Sequence, residues 1–316
     1  MMAPHGSSSR RAFLARALCG ALALTVAALW LGAGSAGGSV ILARDAGAVR
    51  LAVDERGRAL VTYRDAKGIH RVLVWGAIND DLRFKLDYSG GWGAFGEHLW
   101  KDFRDASRPY DGPELPWLVV ARRAPDGSYW ALQAWQRLLP NLGYTPWKHP
   151  QQAWEFHVSH WRGPLPLLET WLDWVRDGRF EHLFGRYTYR GKPVFGMSST
   201  PQGVPLDPNG RNIYLDTYDS AYGPGWEREN SFLTHQPNGN FCYGFYRHTP
   251  PSWYPPGPVL PPGVGSQYRA TVIGPGVTPD VSWAGQALGA FDPEHEERMN
   301  ELGDQIAGSD ERCHRN

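Results

Sequence analysis

Between residues 48 and 283 the chain is divided into short apolar, β-branched runs by turns that contain glycine, and this rhythm confines it to antiparallel β-structure. Residues 48–53, 58–64 and 69–76 show it best, separated by Asp54-Glu55-Arg56-Gly57 and Asp65-Ala66-Lys67-Gly68. Each separator opens with Asp, whose carboxylate accepts from nearby backbone N–H groups, and closes with Gly, which takes a positive φ without a Cβ clash. A three-stranded meander is predicted here. The pattern returns at 117–123 and 128–136 around Pro125-Asp126-Gly127, and at 183–189 and 193–197 around Arg190-Gly191-Lys192.

Residues 153–161 alternate, with Glu155, His157, Ser159 and Trp161 on one face and Trp154, Phe156, Val158 and His160 on the other. Residues 212–219, 267–273 and 277–283 read as further strands, and 231–235 and 240–246 as a hairpin about Pro237-Asn238-Gly239. Residues 167–175 fit either a strand or a short helix, and 79–116 read as irregular loop. Seven prolines in 250–262 predict a stiff surface connection. The expected fold is all-β and β-sandwich-like, with many short antiparallel hairpins and a short C-terminal helix at 294–306. The globular domain is expected over 37–291, followed by an acidic tail over 292–316.

The first residues carry a different message. Ser9-Arg10-Arg11-Ala12-Phe13-Leu14 is followed by an uncharged stretch from Ala17 to Ala43 that is rich in Ala, Leu and Gly. This resembles a twin-arginine export signal, with Ala33-Gly34-Ser35-Ala36 offering the small residues a signal peptidase takes. The resemblance implies export of an already folded protein by the twin-arginine translocation machinery, and a site of action outside the cytoplasm. The alternative is an uncleaved anchor, because the uncharged stretch exceeds the ~20 residues that span a bilayer; the membrane is then a partner through this segment alone. Cys242 and Cys313 are the cysteines beyond the signal, too few for a disulfide framework.

Charge narrows the partners. Formal net charge is zero, and the signal contributes Arg10, Arg11 and Arg16 with no acid, which leaves the rest at about −3. No basic stripe remains, so nucleic acid is excluded as a partner. The 15 Trp and 14 Tyr are the unusual numbers, and both residue types serve cores and binding faces alike.

On the 212–219 strand, Tyr214, Asp216 and Tyr218 share one face, while Ile213, Leu215 and Thr217 share the other. The second set suits the core. The first is an aromatic–acid–aromatic strip of the kind that stacks on sugar C–H faces and accepts from hydroxyls, and it is expected to look outward. Asp219, Glu227 and Glu229 fall in what reads as a Gly-rich connection, where one of them facing Asp216 would give the two carboxylates that glycoside hydrolysis needs. Glu155 and His157 share a strand face as an acid–base pair or a plain salt link. His157 and His160 have the spacing of a helical metal pair, but on a strand they face opposite ways, so no metal is expected, nor any cofactor. Three readings follow: an exported protein binding a carbohydrate or cell-envelope polymer, a glycan-active hydrolase or lyase using carboxylates near 216–229, and a non-catalytic envelope scaffold.

Overall fold

A computed structural model describes residues 39–76, 90–93, 102–136, 153–175, 178–193, 198–199, 205–206, 213–220, 223–233, 240–244, 264–274 and 277–307. All belong to the second of two compact units into which the chain divides, Gly37–Asn316. The export segment, the 237–239 turn, the prolines of 250–262 and Cys313 lie outside the described residues.

The fold is all-β, as predicted, with two face-to-face sheet pairs. In the first, the sheet β2 (Gly47–Val53), β3 (Ala59–Asp65), β4 (Gly68–Gly76) and β5 (Gly90–Gly93) is the predicted meander plus one strand from the stretch read as loop. Facing it is a five-stranded sheet in the order β1 (Val40–Arg44), β9 (Trp154–Trp161), β8 (Tyr129–Gln136), β7 (Leu118–Arg123), β6 (Arg108–Pro109). Leu51, Val53, Ala59, Val61 and Val74 pack on Trp130, Leu132 and Val158. In the second pair, one sheet runs β16 (Gly223–Leu233), β15 (Ile213–Ser220), β18 (Gln267–Val272), β19 (Val281–Gln286). The other holds β10 (Leu167–Val175), β11 (Phe180–Tyr189) and β12 (Lys192–Pro193), with β17 (Asn240–Gly244) also paired to β11. Leu172, Leu183, Tyr187 and Phe241 meet Ile213, Leu215, Tyr268 and Val272 between them. A short pair, β13 (Ser198–Ser199) with β14 (Pro205–Leu206), stands apart.

The turns form for the reasons read from the sequence. Asp54 Oδ1 accepts from the N–H groups of Arg56 at 3.0 Å and Arg58 at 2.9 Å, and Gly57 takes φ +73°. Asp126 Oδ1 accepts from Ser128 N at 3.0 Å, with Gly127 at φ +85°. At Arg190-Gly191 both residues have positive φ, 50° and 72°, so the arginine occupies a position that usually favours Asn or Gly. The helix α1 (Pro293–Ala307) begins at a cap, where Asp292 Oδ1 accepts from Glu294 N at 3.0 Å and proline stands at the first helical position. Its Met299, Leu302 and Ile306 cover Trp171, Val175 and Phe184.

Two expectations need correction, and one choice left open between strand and helix is decided. Residues 231–233 continue β16, whereas 240–244 pair with β11 in the other sheet, so these runs do not pair as a hairpin among the described residues. Residues 167–175 are a strand; their periodicity was ambiguous because both faces are apolar, one toward Leu183 and one toward α1. Glu227 and Glu229 lie within β16 rather than in a loop.

Candidate functional site

Two polar constellations occupy the junction between the sheet pairs. The first lies on β9. Both faces of this strand are covered, so its polar face is buried: His157 is fully inaccessible and Glu155 nearly so. The connection between β18 and β19 brings Asp280 onto this face. Asp280 Oδ2 accepts from Trp135 Nε1 at 2.8 Å, and Oδ1 accepts from Gly274 N at 3.0 Å and from the Ser39 hydroxyl. Ser39 Oγ lies 3.0 Å from His157 Nδ1, and because its proton goes to Asp280, the imidazole N–H donates to it. The opposite nitrogen, Nε2, sits 3.5 Å from Glu155 Oε2, and Glu155 Oε1 accepts from Arg44 at 3.0 Å. The expected Glu155–His157 neighbourhood therefore exists. Ser39 and Asp280 both lie at Nδ1, whereas a nucleophilic triad places serine and acid on opposite ring nitrogens, so Ser39 is not activated here.

His160 faces the other way, stacked on Trp130 with ring centroids 3.8 Å apart. Its Nδ1–H donates to Gly76 O at 2.7 Å. Ser128 Oγ lies 2.9 Å from Nε2 and 2.6 Å from Asp126 Oδ1, so one hydroxyl proton serves two acceptors in turn. Burial pushes the His160 pKa down to about 4. With Ser128 fully inaccessible, this grouping stabilises the turn rather than meeting a substrate.

The second constellation is built on β15 by register. Asp216 stands opposite Arg228 of β16 and Arg269 of β18, which places two guanidinium groups on one carboxylate. Arg269 Nη2 donates to Asp216 Oδ2 at 2.7 Å and its Nε at 3.0 Å, while Arg228 Nε pairs with Oδ1. The Arg269 guanidinium is held between two indoles, 4.7 Å from the Trp117 centroid and 4.2 Å from that of Trp226. Tyr218 packs edge-on against Trp226 at 5.2 Å, and Arg228 lies 4.9 Å over Tyr214. Trp117, Tyr218, Trp226 and Arg269 are partly exposed, and together they form an aromatic–arginine shelf. The Tyr214–Asp216–Tyr218 face does not look outward as expected: Tyr214 is 2 % exposed and Asp216 1 %, with only Tyr218 half-buried. Trp135 and Ile273 cover that face from the neighbouring sheet and the β18–β19 connection.

The acids read as possible glycosidase carboxylates do not converge on Asp216. Opposite Leu215 is Asn230 and opposite Asp216 is Arg228, so Glu229 is the extra residue of a β-bulge. It accepts from Tyr243 Oη at 2.7 Å, on the inner side of the sheet pair, away from Asp216. Glu227 pairs in register with Thr217, on the same inward side. Asp219, at φ +48°, accepts from Gly225 N at 2.6 Å and shapes the β15–β16 turn. His157 and His160 diverge and offer no shared metal position.

Sequence reasoning found Asp216 and Tyr218 but missed Arg228, Arg269, Trp117 and Trp226. Tyr218 opposite Trp226 was discoverable once β15 and β16 were paired. Trp117 was not, because it arrives from 98 residues before Leu215 through a turn at φ +59°, which bulky residues rarely adopt. The fold and site define an all-β protein of paired sheets carrying an arginine–aromatic shelf. Compared with known proteins, the chain matches no family model, no curated protein and no solved structure.

Proposed function

We propose that this protein is exported through the twin-arginine system and binds a carbohydrate or cell-envelope polymer at the shelf formed by Trp117, Arg269, Trp226 and Tyr218. The observation that carries the reading is the stack of Trp117, Arg269 and Trp226, partly exposed and held in place from below by the buried Asp216. Rigid aromatic faces with a fixed polar group beside them suit a sugar, whose C–H face stacks and whose hydroxyls hydrogen-bond. The left-handed backbone at Trp117 adds support, since strained non-glycine residues cluster at functional positions.

A screen of the full-length protein against a glycan array tests it. Replacing Trp226 with Ala is expected to cost roughly 1–3 kcal/mol of binding, by analogy with base–aromatic stacking, and to leave the melting temperature nearly unchanged. If the wild-type protein ignores every glycan, the reading fails. The scaffold reading then takes its place, favoured by the burial of Tyr214 and Asp216. Export is tested separately: with Arg10 and Arg11 both replaced by Lys, the precursor is expected to stay in the cytoplasm, and undiminished export contradicts the assignment.

A further inference from the structure

The meander of β2, β3 and β4 is basic within a body that is slightly acidic. Residues 48–76 hold Arg50, Arg56, Arg58, Arg64, Lys67 and Arg71 against Asp54, Glu55 and Asp65. Two of these acids are engaged already: Asp54 pairs with Arg58 at 2.6 Å, and Asp65 with His70 at 2.7 Å. Strand alternation sorts the remaining charges. Leu51, Val61, Tyr63 and Val72 pack toward the facing sheet, which turns Arg50, Thr62, Arg64, Ile69 and Arg71 to the opposite face. Arg50 of β2 and Arg71 of β4 flank Thr62 in one cross-strand row. Arg64 lies two residues along the middle strand, opposite Ile69. All three arginines are exposed, as is Lys67 in the adjoining turn, and Ile69 at the rim of the face is 55 % exposed. Arg50, Arg64 and Lys67 have no acidic partner among the described residues. Like charges set side by side on a sheet repel one another, so this face is a standing cost that an anionic partner relieves.

We propose that this face docks on a bilayer surface containing anionic phospholipid. The guanidinium groups of Arg50, Arg64 and Arg71 and the Lys67 ammonium sit at the level of the lipid phosphates, whose oxygens a guanidinium fork matches. Ile69 enters the boundary between headgroups and acyl chains, as the apolar residues of interfacial segments do. An open sheet face suits a surface better than a thread. A soluble polyanion would meet the charges but leave Ile69 in water. This contact is independent of the aromatic–arginine shelf and of the N-terminal segment. On the export reading it holds the folded body against the membrane that the chain has crossed.

Flotation of the purified full-length chain with lipid vesicles tests the assignment. The vesicles are phosphatidylcholine alone or an equimolar mixture of phosphatidylcholine and phosphatidylglycerol, and polygalacturonate serves as a soluble polyanion. The wild type is expected to prefer the phosphatidylglycerol vesicles, and the preference is expected to fall as salt rises. One basic side chain near an anionic surface contributes about fivefold in affinity, so Arg50→Gln combined with Arg64→Gln is expected to weaken binding roughly 25-fold. The melting temperature is expected to stay unchanged. The N-terminal segment is the same in both proteins, so the difference reads the face alone. Arg298→Gln, exposed on α1 against the other sheet pair, is expected to change binding little. Ile69→Ser is expected to weaken vesicle binding severalfold and to leave polygalacturonate binding as it was. Equal binding to the two vesicle types overturns the proposal. A double Gln variant that keeps the wild-type preference also overturns it, and so does an Arg298→Gln variant that loses as much as the double variant. If Ile69→Ser binds vesicles like the wild type while the double variant loses polygalacturonate, the face takes a soluble polyanion instead.

Discussion

His160 is held neutral by its surroundings. Its ring is stacked on Trp130, its Nδ1–H is committed to Gly76 O, and burial lowers its pKa from 6.5 to about 4. In the unfolded chain it takes a proton near pH 6.5, whereas in the folded chain it does so only near pH 4. Between those values the unfolded state binds more protons, so stability falls as pH falls. The contribution is fully present above pH 6.5 and is lost by about pH 4, and the shift corresponds to about 3 kcal/mol. Urea unfolding at several pH values is expected to show this slope in the wild type and a shallower one in His160→Gln. An unchanged slope in the variant contradicts the assignment. At this scale the sequence was partly legible. The turn roles of Asp54 and Asp126 followed from side-chain chemistry alone, because the bonds they make are local. The partners of His157 and His160 did not, because Asp280 and Gly76 are more than eighty residues away in the chain.

Strand register decides what the β15 site is. One carboxylate between two cross-strand arginines follows from antiparallel pairing, and the bulge at Glu229 keeps Arg228 opposite Asp216 while turning Glu229 toward Tyr243. Replacing Asp216 with Asn leaves two guanidinium groups facing each other without their counter-charge. Removing one partner from a buried ion pair costs on the order of 3–5 kcal/mol, so the variant is expected to lose about that much in equilibrium unfolding. A loss below about 1 kcal/mol, the usual range for surface pairs, would place the triad in solvent instead. The strands themselves were readable from alternation and turn residues. Which strands pair was not, and the 231–246 stretch shows why. An Asn-Gly step between two apolar runs is a strong hairpin signal, yet β16 pairs with β15 and β17 with β11. Packing between sheets overrode a local preference worth far less. The outward orientation expected of Tyr214 and Asp216 failed for the same reason. Alternation separates two faces of a strand, but it does not say that both will be covered.

Across the whole domain, the connection between β18 and β19 fastens the two sheet pairs. Val277 O accepts from His160 N at 2.9 Å, Gln133 and Asp280 exchange two hydrogen bonds of 2.9 Å, and Asp280 collects Ser39, Trp135 and Gly274 on its carboxylate. A Cβ at Gly274 would collide with the carbonyls of Thr278 and Pro279, so glycine is required for this connection to fold back on itself. The wild-type domain is therefore expected to melt in one calorimetric transition. Asp280→Ala is expected to lower the melting temperature and to broaden or split that transition, and an unaltered single transition contradicts the role assigned to the seam. In the proposed function a ligand engages the shelf over Asp216. Fifteen tryptophans make it directly observable through the indole N–H resonances of protein labelled with ¹⁵N-tryptophan, assigned by single Trp→Phe substitutions. On titration with the tightest-binding saccharide, the Trp117 and Trp226 signals are expected to move. Those of Trp130 and Trp161, inaccessible in the other sheet pair, are expected to stay in place. Saturating ligand that leaves Trp117 and Trp226 unmoved contradicts the account.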